Sequence, residues 1–231
     1  MGLSGRKVIV TGGTGALGSV VVTAFHQAGS VLAVPSPGAP ESASLAAGVL
    51  TARCDLTSEK DVRAFFTLAA SRIGEPDILV NIAGGFAGGK LVEETSAEEM
   101  DAMLRLNLRT AHLSCAAVLA GMKTRGFGRI VNIAAMAALS PGTKRGSYAI
   151  AKRAVVTLTE VISEECRGTG VTCNAIAPSI IRTAANEASM PNADKSRWVN
   201  PEEIAGLILF LASEEARSIS GNVIKVYGAV G

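Results

Sequence analysis

Hydrophobic residues along this chain fall into two alternating patterns. Short runs rich in Val and Ile are typical of strands buried on both faces, and longer amphipathic stretches are typical of helices. The predicted strands span residues 7–11, 31–34, 49–54, 77–81, 128–133, 171–176 and 223–226. The predicted helices span 17–27, 59–73 and 97–123, with one ending near 167 and another opening at Pro201.

This alternation of strands and helices over the whole length predicts an α/β fold. The expected architecture is a doubly wound parallel sheet with helices on both faces. A length of 231 residues suits a single domain, residues 1–231. The segment 35–40, PSPGAP, is predicted to be an exposed loop rather than a domain boundary.

Composition narrows the function classes. A net charge of +2 and the absence of a long basic run give no reason to propose nucleic acid or an anionic membrane as partner. No apolar run is long enough to span a bilayer, and residues 1–5 lack a signal-peptide pattern, so we predict a cytoplasmic protein. The four cysteines show no CxxC spacing and the two histidines stand apart, which predicts reduced thiols and no metal site.

A glycine-rich segment, TGGTGALG at residues 11–18, lies between a predicted strand and a predicted helix. Glycines permit a tight turn and the close approach of the backbone to a pyrophosphate. The N-terminus of the following helix offers unpaired N–H groups to the phosphates. In this context we favour nucleotide binding over a glycine-rich turn without a ligand.

Tyr148 and Lys152 stand four positions apart, on one face of a predicted helix. A phenol titrates near pH ~10, and an ammonium held beside it favours the phenolate and lowers that pKa. Such a pair can move a proton to or from a substrate oxygen. The spacing is common by chance, so its weight depends on the motifs upstream.

Seven motifs, in order, resemble the short-chain dehydrogenase/reductase family over essentially the whole chain. They are TGGTGALG, Asp55, DILVNIAG at 77–84, Asn107 in LNL, GRIVNIAA at 128–135, YAIAK at 148–152 and NAIAPSIIRT at 174–183. The resemblance implies a single Rossmann-type domain that binds NAD(H) or NADP(H). It also implies hydride transfer to or from the carbonyl carbon of a small-molecule substrate.

The same resemblance assigns roles by position. Tyr148 is the expected general acid/base, Lys152 lowers its pKa and holds the nicotinamide ribose, and Asn107 kinks its helix and holds a proton-relaying water. From the residues alone, Asn107 is a buried amide satisfied by backbone, and Asp55 caps the helix near 57–58. The expected cofactor contacts are Gly12, Thr14, Gly15, Leu17, Gly18, Ser36, Asp55, Leu56, Asn81, Ala83, Gly84, Tyr148, Lys152, Pro178, Ile181 and Thr183.

One catalytic position departs from the family pattern. The family's Ser stands thirteen positions before the Tyr, where this chain has Ala135. Loss of one hydrogen-bond donor to a substrate oxygen can cost on the order of 10²–10³ in rate. Ser140 or Thr143 in the following loop are candidate replacements, whereas Ser147 is expected to point away from Tyr148 on its helix.

Three interpretations of Ala135 follow. The protein is a carbonyl reductase with weakened activity or a substituted donor, or it is a reductase whose substrate does not need the hydroxyl. Dihydropteridine reductases are family members that fit the second interpretation, because they reduce a C=N system and lack the Ser. The segment GALGS at 15–19 resembles the corresponding segment of those enzymes. The third interpretation is a non-catalytic NAD(P)-binding protein, and retention of Tyr148, Lys152 and Asn107 counts against it.

Cofactor preference depends on the end of the second strand. An acidic residue there would repel a 2′-phosphate, but the position holds Ser36, so we favour NADP(H) over NAD(H). Arg6, Lys7 and Arg53 are candidate partners for that phosphate.

The substrate pocket is predicted to be small and mostly apolar. Phe86 lies within a glycine-rich wall at 84–89, and residues 184–199 should cover the pocket. Family members are mostly tetramers built by pairing two long helices. The stretches 104–119 and 149–161 are apolar enough for such pairing, so we predict a homo-oligomer, either a tetramer or a dimer.

Overall fold

The computed structural model describes residues 2–38 and 45–230. Within them, seven parallel strands form one sheet in the order β3-β2-β1-β4-β5-β6-β7. The strands are β1 Lys7–Thr11, β2 Val31–Ser36, β3 Leu50–Arg53, β4 Ile78–Asn81, β5 Gly128–Ile133, β6 Val171–Pro178 and β7 Val223–Val226. The winding direction reverses between β1 and β4, and ligands of such sheets bind at the carboxyl ends of the strands beside that reversal.

Seven α-helices occur in the described ranges. They are α1 Ala16–Gln27, α2 Glu59–Ile73, α3 Ala97–Leu104, α4 Thr110–Arg125, α5 Gly146–Glu165, α6 Ala184–Ser189 and α7 Pro201–Leu211. One core joins α1 and α7 to the sheet through Val21 and Ile208. A second core on the opposite face holds Phe65 of α2, Met122 of α4 and Ile162 of α5. The predicted doubly wound parallel sheet is confirmed.

Local residues explain several element ends. Ser58 begins α2 because its side chain accepts a hydrogen bond from Asp61 N. Gly126 ends α4 in the left-handed region at φ +67°, which a glycine adopts without steric cost. Pro201 opens α7, as predicted, at a position where its missing N–H is not needed.

The structure corrects the predicted elements at several places. The single helix predicted at 97–123 is divided by a π-helical turn at Arg105–Arg109. Pro35 and Ser36 are buried in β2 rather than exposed, because β2 pairs with β3 as far as Arg53. Residues 39 and 40 of that predicted loop lie outside the described residues. Strand β6 continues to Pro178, and α6 was not predicted.

The structure also tests the cysteines, the membrane-spanning segments and the metal ligands. All four cysteines are buried and free of disulfides. Among the described helices, none combines the length and apolarity that crossing a membrane requires. No group of three or more potential metal ligands occurs within residues 2–38 and 45–230.

Candidate active site

The turn between β1 and α1 is closed tightly around its glycines. Gly12 has φ +68°, and a Cβ there would lie 2.8 Å from Ala83 N. A Cβ on Gly18 would lie 2.0 Å from Gly12 O, so the turn folds directly onto the start of α1. Gly15 caps α1 without a side-chain hydrogen bond, and the first helical turn carries no acidic residue. The turn therefore presents free N–H groups that fit a pyrophosphate.

The predicted cofactor contacts in this turn differ in their exposure to solvent. Thr14 and Gly15 are exposed, whereas Leu17 and Gly18 are buried. The end of β4 lies against this turn, because Thr11 Oγ1 accepts hydrogen bonds from Ile82 N at 3.2 Å and from Ala83 N at 3.3 Å. The structure thus brings the first and third predicted motifs together.

A buried chain of polar side chains links the strands of this site to α5. The Thr11 hydroxyl donates to Asn81 Oδ1 at 3.4 Å, and Asn81 Nδ2 donates to Asn132 Oδ1 at 2.9 Å. Asn132 Nδ2 donates to Thr159 Oγ1 at 2.9 Å, and that hydroxyl donates to Val155 O at 2.8 Å. Satisfied buried amides fix the relative position of the elements that carry them. This series of hydrogen bonds therefore fixes the position of α5 on the sheet.

Asn107 lies buried at the centre of the π-helical turn between α3 and α4. Its Nδ2 donates to Met103 O at 3.1 Å and to Gly85 O at 3.0 Å, and its Oδ1 accepts from Gly85 N at 3.2 Å. The predicted helix distortion is present. The amide is also satisfied by backbone groups, as the residue type alone suggested, and its role toward a water stays a prediction.

Lys152 is buried on α5, and its Nζ donates to Ile133 O at 2.8 Å. Burial lowers the pKa of this ammonium from 10.5 to about 8. A Cβ on Gly84 would lie 3.3 Å from Lys152 Nζ and 2.5 Å from Asn107 Oδ1. Gly84, Asn107 and Lys152 therefore meet at one place, and only a glycine leaves room there.

The expected lowering of the Tyr148 pKa by Lys152 stays a prediction. Burial raises the pKa of Tyr148 to about 12, because a phenolate loses solvation there, and the cation that opposes this rise is Arg145. Tyr148 is therefore a neutral phenol at physiological pH. Arg145, three positions before it at the start of α5, was missed by the sequence reasoning.

Ala135 is 7% exposed and precedes a short 3₁₀ turn at Met136–Ala138. Its methyl group offers no hydrogen bond to a substrate. Ser140 and Thr143 are exposed beyond this turn, and Ser147 is buried at the start of α5. A substituted donor from Ser140 or Thr143 stays a prediction.

The adenine end of the site differs in detail from the expectation. Asp55 accepts hydrogen bonds from Thr57 N and Thr57 Oγ1, both at 2.8 Å, which lowers its pKa. The helix cap is Ser58 rather than Asp55, so that predicted structural role is wrong. Leu56 follows Asp55 on the same loop, and both remain candidate adenine contacts.

Of the three predicted phosphate partners, two lie at the wrong end of the sheet. Arg6 precedes β1 and bonds Glu214 at 3.0 Å, and Lys7 begins β1, whereas the glycine turn follows its other end. Arg53 ends β3 as the Cα partner of Ser36 at the end of β2. Ser36 is buried and Arg53 is exposed.

The nicotinamide-side residues lie at the end of β6 and beyond it. Pro178 ends β6 beside Val226, and Ile181 forms a bridge with Val199 across the base of the covering segment. Thr183 caps α6 by accepting from Asn186 N at 3.2 Å, which leaves its O–H proton free to donate. Thr is a favoured residue at a helix N-cap, so Thr183 itself was the sequence signal for the start of α6.

The chain is similar to known proteins over almost its whole length. A family model described as Enoyl-(Acyl carrier protein) reductase matches residues 14–228. The chain is 31% identical over 244 residues to 2-(R)-hydroxypropyl-CoM dehydrogenase of Xanthobacter autotrophicus, which covers 97% of this chain and 98% of that protein.

The chain belongs to the short-chain dehydrogenase/reductase family. It is an oxidoreductase of this family, as the motifs predicted. Solved structures agree: levodione reductase is 28% identical with a TM-score of 0.88, covering 97% of each chain. NAD⁺-bound xylitol dehydrogenase, 22% identical, has a TM-score of 0.90 over 99% of this chain and all of its own, and shows the shared fold.

Proposed function

We propose that the protein is an NAD(P)(H)-dependent reductase that transfers a hydride to a small carbonyl substrate, with Tyr148 as the proton donor. The observation that carries this proposal is the meeting of Gly84, Asn107 and buried Lys152 next to the glycine turn. A half-buried phenol stands one helical turn before that lysine. A hydride acceptor needs such a tuned proton donor beside the cofactor.

The site residues act together in the reductive direction. A bound NADPH or NADH supplies the hydride. Tyr148 enters the step as a neutral phenol and donates its proton to the substrate oxygen. The charge of Lys152, held in place by Ile133 O, stabilises the phenolate left behind. Solvent then returns a proton to Tyr148, along the water path for which Asn107 is the candidate.

The fit of a dinucleotide rests on the shape and charge of the strand ends. The turn residues Gly12, Thr14, Gly15, Leu17 and Gly18 would hold the pyrophosphate at the uncapped start of α1. The remaining proposed contacts are Ser36, Asp55 and Leu56 toward the adenosine, Asn81, Ala83 and Gly84 toward the ribose, and Lys152, Pro178, Ile181 and Thr183 toward the nicotinamide ribose and carboxamide.

We infer a preference for NADPH over NADH. Ser36 carries no negative charge to repel a 2′-phosphate, and exposed Arg53 on the neighbouring strand end can pair with it. Fluorescence titration should give tighter binding of NADPH. Arg53→Ala should weaken NADPH binding by about tenfold and leave NADH binding unchanged. Arg63→Ala, at an exposed arginine of α2, is the matched control, and equal losses for both cofactors would contradict the preference.

Turnover tests the proposed reaction. With NADPH or NADH, the protein should reduce members of a panel of ketones, quinones and quinonoid dihydropterins. Tyr148→Phe should abolish turnover while cofactor binding persists, because only the proton donor is lost. Cofactor binding with no turnover of any substrate would contradict a catalytic function and favour the nucleotide-binding alternative.

A second candidate is reduction of a C=N bond. The absence of a hydroxyl at Ala135 favours it, since an imine-type nitrogen does not need the donor that steadies a carbonyl oxygen. Turnover of the dihydropterin with no turnover of ketones or quinones would identify this reaction.

We infer further that the protein is a cytoplasmic homo-oligomer, a tetramer or a dimer. Its four cysteines are buried thiols, as suits a reducing compartment. Exposed Ala116 and Ala117 on α4 and exposed Ile150 and Val161 on α5 are apolar surface that a second copy would bury. Light scattering after size-exclusion chromatography should give a dimer or tetramer mass, and a monomer would contradict the inference.

A further inference from the structure

Phe86 is an exposed aromatic residue in direct contact with the proposed proton donor. Its ring centroid lies 5.0 Å from that of Tyr148, with an angle of 81° between the ring planes. The side chain is nevertheless 65% exposed, whereas Phe25, Phe65 and Phe66 are buried and Phe210 is 36% exposed. An exposed aromatic ring in contact with the proposed proton donor is placed to touch a substrate that reaches Tyr148.

The backbone around Phe86 is shaped to hold the ring there. A Cβ on Gly88 would lie 2.7 Å from Phe86 Cζ and 3.0 Å from Lys144 O, so the ring needs a glycine beside it. Gly89 N donates to Lys144 O at 2.8 Å, and Gly85 is bonded at both backbone groups by Asn107. Residues 86–88 therefore form a short arch whose two ends are fixed.

The segment that follows β5 is apolar. Ala134, Ala135 and Ala137 are all buried there and carry no side-chain hydrogen-bonding group. Because Ala135 offers no hydroxyl, shape and apolar contact gain weight in the orientation of a substrate. The exposed ring of Phe86 is the large apolar surface that touches Tyr148.

We propose that Phe86 is a specificity-determining residue that stacks on a flat conjugated ring of the substrate, with the reducible C=O or C=N group attached to that ring. This proposal rests on the proposed function. The hydride that a bound reduced nicotinamide would supply joins the carbon of that C=O or C=N group, and the proton of Tyr148 joins its oxygen or nitrogen. The nicotinamide is oxidised, and the substrate gains two electrons and two hydrogens.

Two diketones of different shape test the proposal. The planar 1,2-naphthoquinone and the saturated cyclohexane-1,2-dione are each assayed with NADPH, after subtraction of the reaction without enzyme. Phe86→Leu should raise KM for the naphthoquinone by about fivefold, because the aromatic contact is lost and an apolar side chain remains. KM for the cyclohexanedione should change by less than about twofold. Phe86→Trp should retain the low KM for the naphthoquinone.

Phe210→Leu is the matched control, since Phe210 is also partly exposed and lies on α7, which packs on the opposite face of the sheet from α5. It should change neither KM. If Phe86→Leu does not fold, Phe86→Met takes its place with the same expected loss.

Three outcomes would overturn the proposal. An equal rise in KM for both diketones would mean that Phe86 does not select flat rings. An equal loss of kcat, with a changed pH profile for both, would mean that Phe86 only positions Tyr148. A change in oligomer mass on Phe86→Leu would mean that a second copy covers the ring. Absence of turnover in the unaltered protein contradicts the proposed function instead.

Discussion

Replacing Lys152 with Met should stabilise the cofactor-free protein at neutral pH while abolishing its activity. Lys152 is 5% exposed, and the described structure gives its ammonium one hydrogen-bond acceptor, Ile133 O. Burial of the charge lowers its pKa from 10.5 to about 8. A lysine whose pKa is lower in the folded state than in the unfolded state destabilises the folded protein at every pH at which the unfolded lysine is protonated.

The magnitude follows from that fall in pKa. The change from 10.5 to about 8 corresponds to about 3 kcal/mol at pH 7, since a tenfold change in proton affinity is worth about 1.4 kcal/mol. Lys152→Met removes this cost. It also leaves Ile133 O without its partner, which costs about 1–2 kcal/mol. The expected net gain in the free energy of unfolding is therefore about 1–2 kcal/mol at pH 7.

The pH dependence isolates the contribution of the charge. Between pH 8 and 10.5 the unfolded lysine keeps its proton and the folded one releases it, so the stability of the unaltered protein rises with pH. From pH 7 to 9.5 the destabilisation that Lys152 causes should shrink by about 2 kcal/mol. The buried thiols of Cys54 and Cys115, whose pKa values are raised to about 11 and about 12, act in the opposite direction. They are common to both proteins and cancel in the difference.

Urea unfolding at fixed protein concentration, at pH 7 and at pH 9.5, measures both proteins. The advantage of Lys152→Met should shrink by about 2 kcal/mol at the higher pH. A difference that stays the same at the two pH values would refute the reasoning, because Lys152 would then carry no burial cost. A loss of stability at pH 7 that exceeds the cost of one unpaired carbonyl would refute it as well.

Three further substitutions have defined outcomes. Ala135→Ser should raise kcat/KM for cyclohexane-1,2-dione at least about tenfold and should affect 1,2-naphthoquinone less, and no rise would mean that the reaction does not use a hydroxyl there. Thr159→Val should lower the free energy of unfolding by about 1–3 kcal/mol because it leaves Asn132 Nδ2 with only the weak sulfur acceptor Cys173 Sγ. Thr159→Ser should restore that stability in urea unfolding, whereas Thr157→Val on the exposed face of α5 should have little effect. Tyr227→Phe should leave stability unchanged or raise it by about 1 kcal/mol, since the Tyr227 hydroxyl is buried without a partner in the described residues. A clear loss on thermal unfolding would show that this hydroxyl is paired.

The strands and most helices were predictable because each carries its own local signal. The run 128–133 was predicted with the boundaries that β5 has, since the strand is buried on both faces and every residue is part of one continuous pattern. The turn at Gly12 and the pair on α5 were predictable for a similar reason: their residues are close in sequence.

What could not be predicted depends on contacts between distant residues. The π-helical turn keeps the apolar spacing of a helix, so periodicity does not reveal that Asn107 bonds Gly85 within it. Ser36 follows a proline and resembles a loop residue, yet pairing with β3 buries it. The raised pKa of Tyr148 reflects burial, which a residue's own identity does not encode.

The arch at residues 86–88 has a consequence for substrate affinity. Ordering one residue of a flexible loop costs about 1–2 kcal/mol of conformational entropy. Because Asn107 and Lys144 O fix the two ends of the arch, the conformational entropy of the arch is lost when the protein folds and not when a substrate binds. A substrate that settles on Phe86 therefore encounters a preorganised surface and keeps more of its contact energy as affinity. Loosening either end should weaken substrate binding without removing any group that touches the substrate.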